Sequence, residues 1–210
     1  MQGLFITFEG PDGAGKTTQI SLLAQHLSER GLTVVSTREP GGTPLGDDIR
    51  RILLDKQYQG MDARAETLLY LAARAQHAAS VIRPALEQGK IVLSDRFADS
   101  TIAYQGAARA LDLRDVIQVN HFATDGLKPD LTFLLDGDPE LLQTRRVQRG
   151  GGDRIEAEAI GFHQRVRQGF LALASNEPER FAIVNATAGV HEIHRQILLR
   201  VEVLLRGMNI

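Results

Sequence analysis

A glycine-rich run near the start of the chain has the residue types and spacing that hold phosphate groups. It reads Gly10-Pro11-Asp12-Gly13-Ala14-Gly15-Lys16-Thr17, with Thr18 after it. The run fits the pattern G-x-x-x-x-G-K-[ST] at every fixed position, in which glycines let the backbone wrap around phosphate oxygens and loop N–H groups point at the anion. We therefore expect this loop to bind a nucleoside triphosphate, with Lys16 reaching the β- and γ-phosphates.

A magnesium ion accompanies a bound nucleoside triphosphate, and two residues could hold it. Thr17 offers a hydroxyl next to the lysine, and Asp95 offers a carboxylate at the end of an apolar run. Asp136 also follows an apolar run, so position alone does not single out Asp95. A helix-cap or turn role is the alternative for an aspartate at a strand end.

Three arginines stand where they could hold a second phosphate group. Arg38, Arg74 and Arg96 lie in different segments, two of them at or just beyond predicted strand ends. In doubly wound sheets these ends face the ligand crevice, and guanidinium groups there bind phosphate through paired N–H donors. An acceptor with its own phosphate is already ionised near neutral pH, so its transfer reaction needs no general base. For each arginine, a solvated surface charge is the alternative.

A second arginine-rich segment surrounds three consecutive glycines. Gly150, Gly151 and Gly152 are flanked by Arg145, Arg146, Arg149 and Arg154, and helical patterns lie on both sides. The pattern predicts a short hinged lid over about residues 144–156, which on closing would exclude water that competes as a phosphoryl acceptor. A flexible helix–helix loop with solvated arginines is the alternative.

Five short apolar runs predict the strands that position these groups. They are Leu4–Phe8, Thr33–Thr37, Lys90–Ser94, Leu131–Leu135 and Phe181–Val184. Helical patterns separate them, at Gly15–Glu29, Thr43–Leu54, Asp62–Gln88, Asp112–Thr124, Ile155–Ala174 and Val190–Leu205. This alternation predicts an α/β fold of the P-loop NTPase type, a five-stranded parallel sheet with helices on both faces. We expect residues 1–210 to form one domain.

Composition and charge exclude several classes of protein. With 43% hydrophobic residues, 24% charged residues and a net charge of −2, the chain has no basic field that indicates a nucleic-acid polymer as partner. No apolar run approaches the roughly 20 residues of a membrane span, and the first ten residues predict a strand rather than a signal peptide. The chain has no cysteine, which favours the reducing cytoplasm.

Over nearly its whole length the chain resembles the thymidylate kinase family. The resemblance is carried by the segments Phe8–Thr18, Thr37–Thr43, Ala72–Gln76, Asp95–Phe97, Ser100–Gly106 and Asp153–Glu156. The Arg-Glu-Pro-Gly-Gly-Thr and Asp-Arg-Phe sequences are far more specific than the phosphate loop alone. The resemblance implies a phosphotransferase that uses ATP and Mg²⁺ to convert dTMP to dTDP. It also implies a homodimer, for which the helix Asp62–Gln88 and the C-terminal apolar stripe are candidate surfaces.

The resemblance further implies a role for each matched side chain. Arg38 and Arg96 would hold the dTMP phosphate, and Asp12 would bind the sugar 3′-hydroxyl or a group near it. Tyr70, where the family more often has Phe, would stack on thymine, one helical turn before Arg74. Arg74 would donate to a thymine carbonyl, and Ser100 or Thr101 would make a polar contact with the base. Tyr104 and Gln105 would form a wall against the 2′ carbon.

Members of the family place their catalytic arginine either in the phosphate loop or in the lid. Here the loop position is Gly13 and the lid is rich in arginine, so the chain looks like the bacterial lid-arginine type. The implied catalytic residues are Lys16, Arg96, Arg149 and Arg154. Two alternatives stay open. The first is a related kinase with a different acceptor, either another nucleotide or a nucleoside, and a nucleoside kinase would use Glu9 or Glu39 as its base. The second is a nucleotide-binding regulator without turnover.

Overall fold

A central parallel sheet of five strands organises the chain in a computed structural model that describes residues 3–142 and 152–207. The strands are β1 (Leu4–Glu9), β2 (Val34–Arg38), β3 (Ile91–Asp95), β4 (Leu131–Asp136) and β5 (Phe181–Asn185). Their order across the sheet is β2-β3-β1-β4-β5. The predicted five-stranded parallel sheet is therefore confirmed, with every strand end within one residue of its expected position.

The central strands β1, β3 and β4 are buried on both faces of the sheet, which is why they read as largely apolar runs. Leu4, Ile6 and Phe8 of β1 face a core built with helices from one side of the sheet. Phe5 of the same strand faces the other side, where it packs edge-on against Phe97 with ring centroids 4.9 Å apart. The alternation of side chains along the strand thus supplies two cores from one segment.

The strand register brings the predicted phosphate and metal residues to the same edge of the sheet. Phe8 of β1 lies opposite Asp95 of β3, and Arg38 of β2 lies opposite the same Asp95. The phosphate loop follows β1 directly, between Glu9 and the start of the first helix at Lys16. Asp95 therefore stands between the loop and the end of β2.

The helices follow the sequence pattern with small shifts at their ends. They are α1 (Lys16–Glu29), α2 (Pro44–Leu54), α3 (Ala63–His77), α4 (Arg83–Glu87), α5 (Ala98–Thr101), α6 (Leu113–Thr124), α7 (Ile160–Asn176) and α8 (Val190–Gly207). Thr43 caps α2, since its hydroxyl accepts the N–H of Gly46 at 2.9 Å. Within the described residues, no helix is long and apolar enough to cross a bilayer.

Two predicted helices differ from the observed ones. The expected helix Asp62–Gln88 is α3 joined to α4 through a π-helical turn, Ala78–Ile82, because Pro84 cannot donate to the helical ladder just beyond it. The expected helix Ile155–Ala174 begins only at Ile160. Before it, the Asp153 carboxylate accepts the N–H groups of Ile155 and Glu156, each at 2.9 Å, which stabilises a turn instead.

One helical segment was not predicted from the sequence. The short helix α5 continues as a π-helical segment, Ile102–Ala108, that carries Tyr104 and Gln105. It packs closely against α7 at Gly169, where a Cβ atom would lie 2.8 Å from the Cβ of Ala107 and 3.0 Å from the Cα of Ala103. Only glycine fits there without a shift of the backbone.

Candidate active site

The phosphate loop has the close-packed geometry that its sequence predicts. Gly10 has φ +126°, and a Cβ atom on it would lie 2.3 Å from the carbonyl oxygen of Leu135. Lys16 folds back over the loop, and its Nζ donates to the carbonyl oxygens of Gly10 and Pro11 at 3.1 and 3.0 Å. The amine also lies 4.0 Å from the carboxylate of Asp12. The lysine thus stands over the loop that is expected to cradle the phosphates.

The environment of Lys16 favours a bound anion. The side chain is only 6% exposed. Burial lowers the pKa of Lys16 from its ordinary value, and the neighbouring charge of Arg96 lowers it further. A phosphate group placed between these two cations would compensate both effects, because an opposite charge stabilises the ionised amine.

Thr17 and Asp95, the predicted magnesium ligands, are in direct contact. The Thr17 hydroxyl donates to Asp95 Oδ2 at 2.8 Å, and both residues line an open groove beside the phosphate loop. A hydroxyl and a carboxylate are the hard oxygen donors that Mg²⁺ takes, with water and phosphate completing its shell. The residues present therefore fit the ion.

Beside the phosphate loop lies a second pocket that contains about 530 Å³ of space, part of it open to solvent. Most of the residues expected to bind the acceptor line it together: Asp12, Tyr70, Arg74, Arg96, Ser100, Thr101, Tyr104 and Gln105. We call this the acceptor pocket.

Arg96 connects the acceptor pocket to the phosphate loop. Its Nη2 donates to Asp12 Oδ1 at 2.8 Å, and its Nη1 donates to the Ser100 hydroxyl at 3.2 Å. The guanidinium carbon lies 5.1 Å from the ring centroid of Tyr104. Burial opposes its positive charge, but Tyr104, Asp12, Asp95 and Glu9 together raise the pKa of Arg96 well above the ordinary value. Arg96 therefore carries a fixed positive charge between the two sites.

Arg74 lines the acceptor pocket with most of its hydrogen-bonding capacity already used. Within the described residues, its guanidinium donates to Glu39 at 2.7 Å, Thr101 at 2.7 Å, Asn120 at 3.0 Å and the carbonyl of Phe97 at 2.9 Å. These bonds use four of the five N–H donors that an arginine has. One N–H on Nη2 remains for a ligand, which matches the single bond expected toward a base carbonyl.

The two hydroxyl residues at the pocket floor differ in what they can offer a ligand. Ser100 donates its proton to Glu9 Oε2 at 2.6 Å, so it can only accept from the pocket side. Thr101 accepts from Arg74, which leaves its own proton free to donate. Of the two residues expected at the polar edge of the base, Thr101 is the one that can act as a donor.

Tyr104 and Gln105 are held rigidly from behind. The Tyr104 ring packs edge-on against the rings of Phe162 and Phe170, with centroids 6.1 Å away in each case. Gln105 Nε2 donates to the fully buried carboxylate of Glu66 at 2.9 Å. Tyr70 and Arg74, one turn apart on α3, face the same pocket as expected.

Arg38 is not brought to the acceptor pocket. Its side chain is 59% exposed, lies 3.4 Å from Asp47, and lines the groove that contains Thr17 and Asp95. The reason is the alternation of side chains in extended backbone: the next residue, Glu39, faces the acceptor pocket, so Arg38 faces the other side. The expectation that Arg38 and Arg96 hold one phosphate together does not match this arrangement.

Arg154 also lies away from the phosphate loop. Its Nη1 contacts Glu66 Oε2 at 2.7 Å and its Nε donates to the carbonyl of Leu53 at 2.8 Å, leaving the residue 5% exposed. Burial acts to raise the pKa of Glu66, because it disfavours the ionised carboxylate. Hydrogen bonds from Gln105, Arg109 and Arg154 outweigh this effect and hold the pKa below the ordinary value. Arg149, the other lid arginine expected to act in catalysis, lies outside the described residues, as do Arg145 and Arg146.

Several pocket residues were not identified from the sequence. Arg50 lines the acceptor pocket and donates to the carbonyl of Pro40 at 3.0 Å. Nothing in a single sequence separates it from Arg51 beside it, whose side chain is 77% exposed and pairs with Asp48. Others are Leu54 at the end of α2 and, in the turns flanking the pocket, Pro40, Asp153 and Ile155.

The carboxylates considered as a general base are both engaged. Glu9 is fully buried and accepts the N–H of Phe97 at 2.8 Å in addition to the Ser100 hydroxyl. Glu39 accepts from Arg74 and from the His77 ring at 2.9 Å. A kinase of nucleoside hydroxyls needs a free base in its acceptor pocket, and these contacts disfavour either residue in that role.

Comparison with known proteins gives consistent matches along the whole chain. A family model described as thymidylate kinase matches residues 8–197. The thymidylate kinase of Geotalea uraniireducens is 52% identical over 201 residues, covering 93% of this chain and 94% of that protein. The thymidylate kinase of Pelotomaculum thermopropionicum is 51% identical over 207 residues, covering 98% and 95%. The crystal structure of the thymidylate kinase from Ehrlichia chaffeensis matches with a TM-score of 0.78 at 38% identity, over 96% of this chain and 99% of that one.

Proposed function

The chain belongs to the thymidylate kinase family, and we propose that it divides its reaction between a donor site around Lys16 and an acceptor site around Arg96. The enzyme transfers the γ-phosphoryl group of ATP to dTMP. The observation that supports this division is the contact between Arg96 and Asp12, which joins the acceptor pocket to the phosphate loop. Two phosphates bound on either side of that contact would meet for in-line transfer.

On the donor side, the phosphate loop and Lys16 hold the β- and γ-phosphates of ATP. Binding moves the Lys16 amine from the carbonyls of Gly10 and Pro11 to the phosphate oxygens. Its positive charge is then present where negative charge develops during transfer, in a site that excludes most water. Thr17 and Asp95 hold Mg²⁺, which supplies neutralisation of charge on the β- and γ-phosphates.

On the acceptor side, Arg96 and Arg50 hold the dTMP phosphate, and Tyr70 stacks on the thymine base. Thr101 and the free N–H of Arg74 hydrogen-bond the base, while Tyr104 and Gln105 form the wall beside the 2′ carbon. The dTMP phosphate needs no activation by a base because it is largely ionised at neutral pH. The acceptor residues therefore act by position and charge alone.

We propose that residues about 144–156 form a lid on a single kinase domain, with Arg149 as its catalytic arginine. Support comes from its described end, where Asp153 and Ile155 line the acceptor pocket. Arg154 is held by Glu66, so its role is to anchor this end of the lid and not to bind the transferring phosphate. A cytoplasmic location is proposed from the lack of cysteine.

We also propose a homodimer formed through α3 and α6. Leu68 on α3 is 61% exposed and Phe122 on α6 is 87% exposed, and Leu113 and Ile117 extend the same apolar surface. Contiguous exposed apolar surface of this kind is typical of an interface. The apolar stripe of α8, the other candidate, packs into the core through Ile193, Ile197, Val201 and Leu205. Phe122→Lys should convert a dimer to a monomer in light scattering, while Leu199→Lys on α8 should not.

An acceptor screen tests the proposed function. ADP release is measured with ATP, Mg²⁺ and each deoxy- and ribonucleoside monophosphate in turn, with thymidine as the unphosphorylated control. We expect turnover with dTMP and none with thymidine, because the acceptor pocket holds its ligand through a phosphate. Equal turnover with thymidine would contradict the proposed acceptor site, and ATP binding without transfer to any acceptor would indicate a regulator.

A further inference from the structure

Glu9 is a buried carboxylate at the end of β1 with no role in the reaction described above. It is fully inaccessible to solvent and does not line the acceptor pocket. A carboxylate is expensive to bury unless it is hydrogen-bonded. The contacts of the Glu9 carboxylate therefore indicate which neighbouring residues it holds in place.

Within the part of the chain that the structure describes, Glu9 accepts hydrogen bonds from Phe97, directly after Arg96, and from Ser100, which contacts the Arg96 guanidinium. Oε1 accepts the backbone N–H of Phe97 at 2.8 Å, directly after Arg96. Oε2 accepts the hydroxyl of Ser100 at 2.6 Å, and Ser100 in turn accepts from Arg96 Nη1 at 3.2 Å. One carboxylate thus fixes the backbone next to Arg96 and, through Ser100, its guanidinium.

The backbone at Arg96 needs such support. Its φ of +73° lies in the left-handed region, which is strained for a residue with a side chain and persists only where the surroundings determine it. The N–H of Arg96 donates to the carbonyl of Phe8 at 3.0 Å, and its carbonyl accepts from Ser94 at 2.8 Å. Phe97 follows at once, and its N–H bond to Glu9 closes the turn.

We propose that Glu9 is a positioning residue for Arg96, holding the left-handed turn that aims the guanidinium at the phosphate loop. The inference rests on the role proposed for Arg96 in binding the acceptor phosphate. Glu9 touches no reacting atom, and its hydrogen bonds reach the site through the backbone after Arg96 and through Ser100. Its effect on turnover should then disappear when the arginine is absent.

A double-mutant cycle measures this dependence. The enzyme, its Glu9→Gln and Arg96→Met variants and the double variant are compared for kcat and for KM of both substrates. We expect Glu9→Gln to lower kcat by about 10- to 100-fold, the loss typical of a misplacement near 1 Å. KM for ATP should change little. In the Arg96→Met background, Glu9→Gln should change kcat less than twofold, because residues that act as a unit are not additive.

Asp130→Asn is the matched control for a lost carboxylate. Asp130 accepts the backbone N–H of Phe5, at the opposite end of β1, at 2.7 Å. This variant should keep kcat unchanged, so a loss specific to Glu9→Gln cannot be attributed to weakening of β1. If Glu9→Gln does not fold, Ser100→Ala replaces it in the cycle, because it breaks the link from Glu9 to the guanidinium.

The outcomes separate the inference from the proposed acceptor site. If Arg96→Met lowers kcat strongly and Glu9→Gln lowers it by the same factor with or without Arg96, the positioning role of Glu9 is overturned. The role of Arg96 then stays intact. Near-normal kcat and KM for dTMP in Arg96→Met would overturn the acceptor site itself. Non-additive losses support the inference.

Discussion

Arg96 donates to the Asp12 carboxylate at 2.8 Å, and so ties the residue after β3 to the loop after β1. Both strands end at the same edge of the sheet, with Phe8 and Asp95 in register. The Arg96–Asp12 contact therefore forms part of the boundary of both the acceptor pocket and the phosphate loop.

Removing the amine of Lys16 should abolish turnover without unfolding the protein. Lys16→Ala deletes a buried charge that, within residues 3–142 and 152–207, bonds only to loop carbonyls and Asp12. We expect kcat to fall by at least about 100-fold, the scale for losing one group that stabilises the transition state electrostatically. Thermal unfolding should change by a few degrees at most. Lys56→Ala, on the exposed surface, is the control and should behave as wild type.

Arg38 should affect the donor side of the reaction more than the acceptor side. Its guanidinium lies in the groove with Thr17 and Asp95, away from the acceptor pocket. For Arg38→Ala we expect KM for dTMP to stay within about threefold of wild type, while Arg50→Ala should raise it about 10-fold or more, as for loss of a charged hydrogen bond. Steady-state kinetics at varied dTMP measures both. A larger rise in KM for dTMP from Arg38→Ala would return Arg38 to the acceptor site.

Shortening Tyr104 should relax the choice of sugar. Tyr104→Ala opens the wall next to the expected 2′ carbon, so activity on ribo-TMP should rise relative to dTMP. The variant should also lose about 3–5 kcal/mol of stability, because it removes a packed aromatic ring. Phe170→Leu is the matched control: Phe170 packs on the same ring but does not line the pocket. If Tyr104→Ala and Phe170→Leu change the ratio of ribo-TMP to dTMP activity equally, the wall formed by Tyr104 does not determine the choice of sugar.

Stability should respond to pH through Glu9. Burial, followed by the charge of Asp99, raises the pKa of Glu9 from 4.5 to about 7, while Arg96 acts in the opposite direction and Lys16 is nearby. The folded protein therefore holds this proton more tightly than the unfolded chain. The associated stability is complete below pH 4.5 and is lost as pH rises to about 7, and it amounts to about 3 kcal/mol.

Glu9→Gln removes this dependence, because glutamine does not titrate. The free energy of unfolding of the variant minus that of wild type should rise between about pH 4.5 and 7 and be level above it. Urea unfolding at several pH values measures the difference. A difference that stays constant across this range would show that the Glu9 pKa is not raised on folding.

Arg154 should matter more for stability than for the chemical step. Arg154→Met removes one partner of a buried ion pair with Glu66, which retains Arg109. We expect a loss of about 3 kcal/mol in the free energy of unfolding, near the lower end for such a change. The kcat measured well below the unfolding temperature should fall less than 10-fold. A loss of several hundredfold at unchanged stability would instead assign Arg154 to catalysis.

The strands and the phosphate loop could be predicted because their signals are local. Strands buried on both faces form largely apolar runs, as in Leu131–Asp136, and the loop glycines are needed by the backbone itself. Tyr70 and Arg74 were expected in the acceptor pocket from the resemblance to the family, and their spacing of four residues predicted only that they share one face of α3.

The direction of individual side chains could not be predicted in the same way. Arg38 and Glu39 are adjacent in one motif yet face different cavities, since that depends on how β2 ends. The start of α7 at Ile160 depends on the turn made by Asp153, which competes with the helix. The link from Glu9 through Ser100 to Arg96 joins residues 91 positions apart and appears only when the strands are assembled.

The contact between Gly169 and the segment that carries Tyr104 gives a distant residue influence over substrate choice. Adding a single methyl group at position 169 would push on Ala103 and Ala107, the neighbours of Tyr104 along the chain. The tyrosine ring would move with them, although residue 169 never meets a nucleotide. Laboratory evolution toward ribonucleotide or modified-sugar acceptors should therefore include the middle of α7 among the randomised positions, alongside the pocket lining.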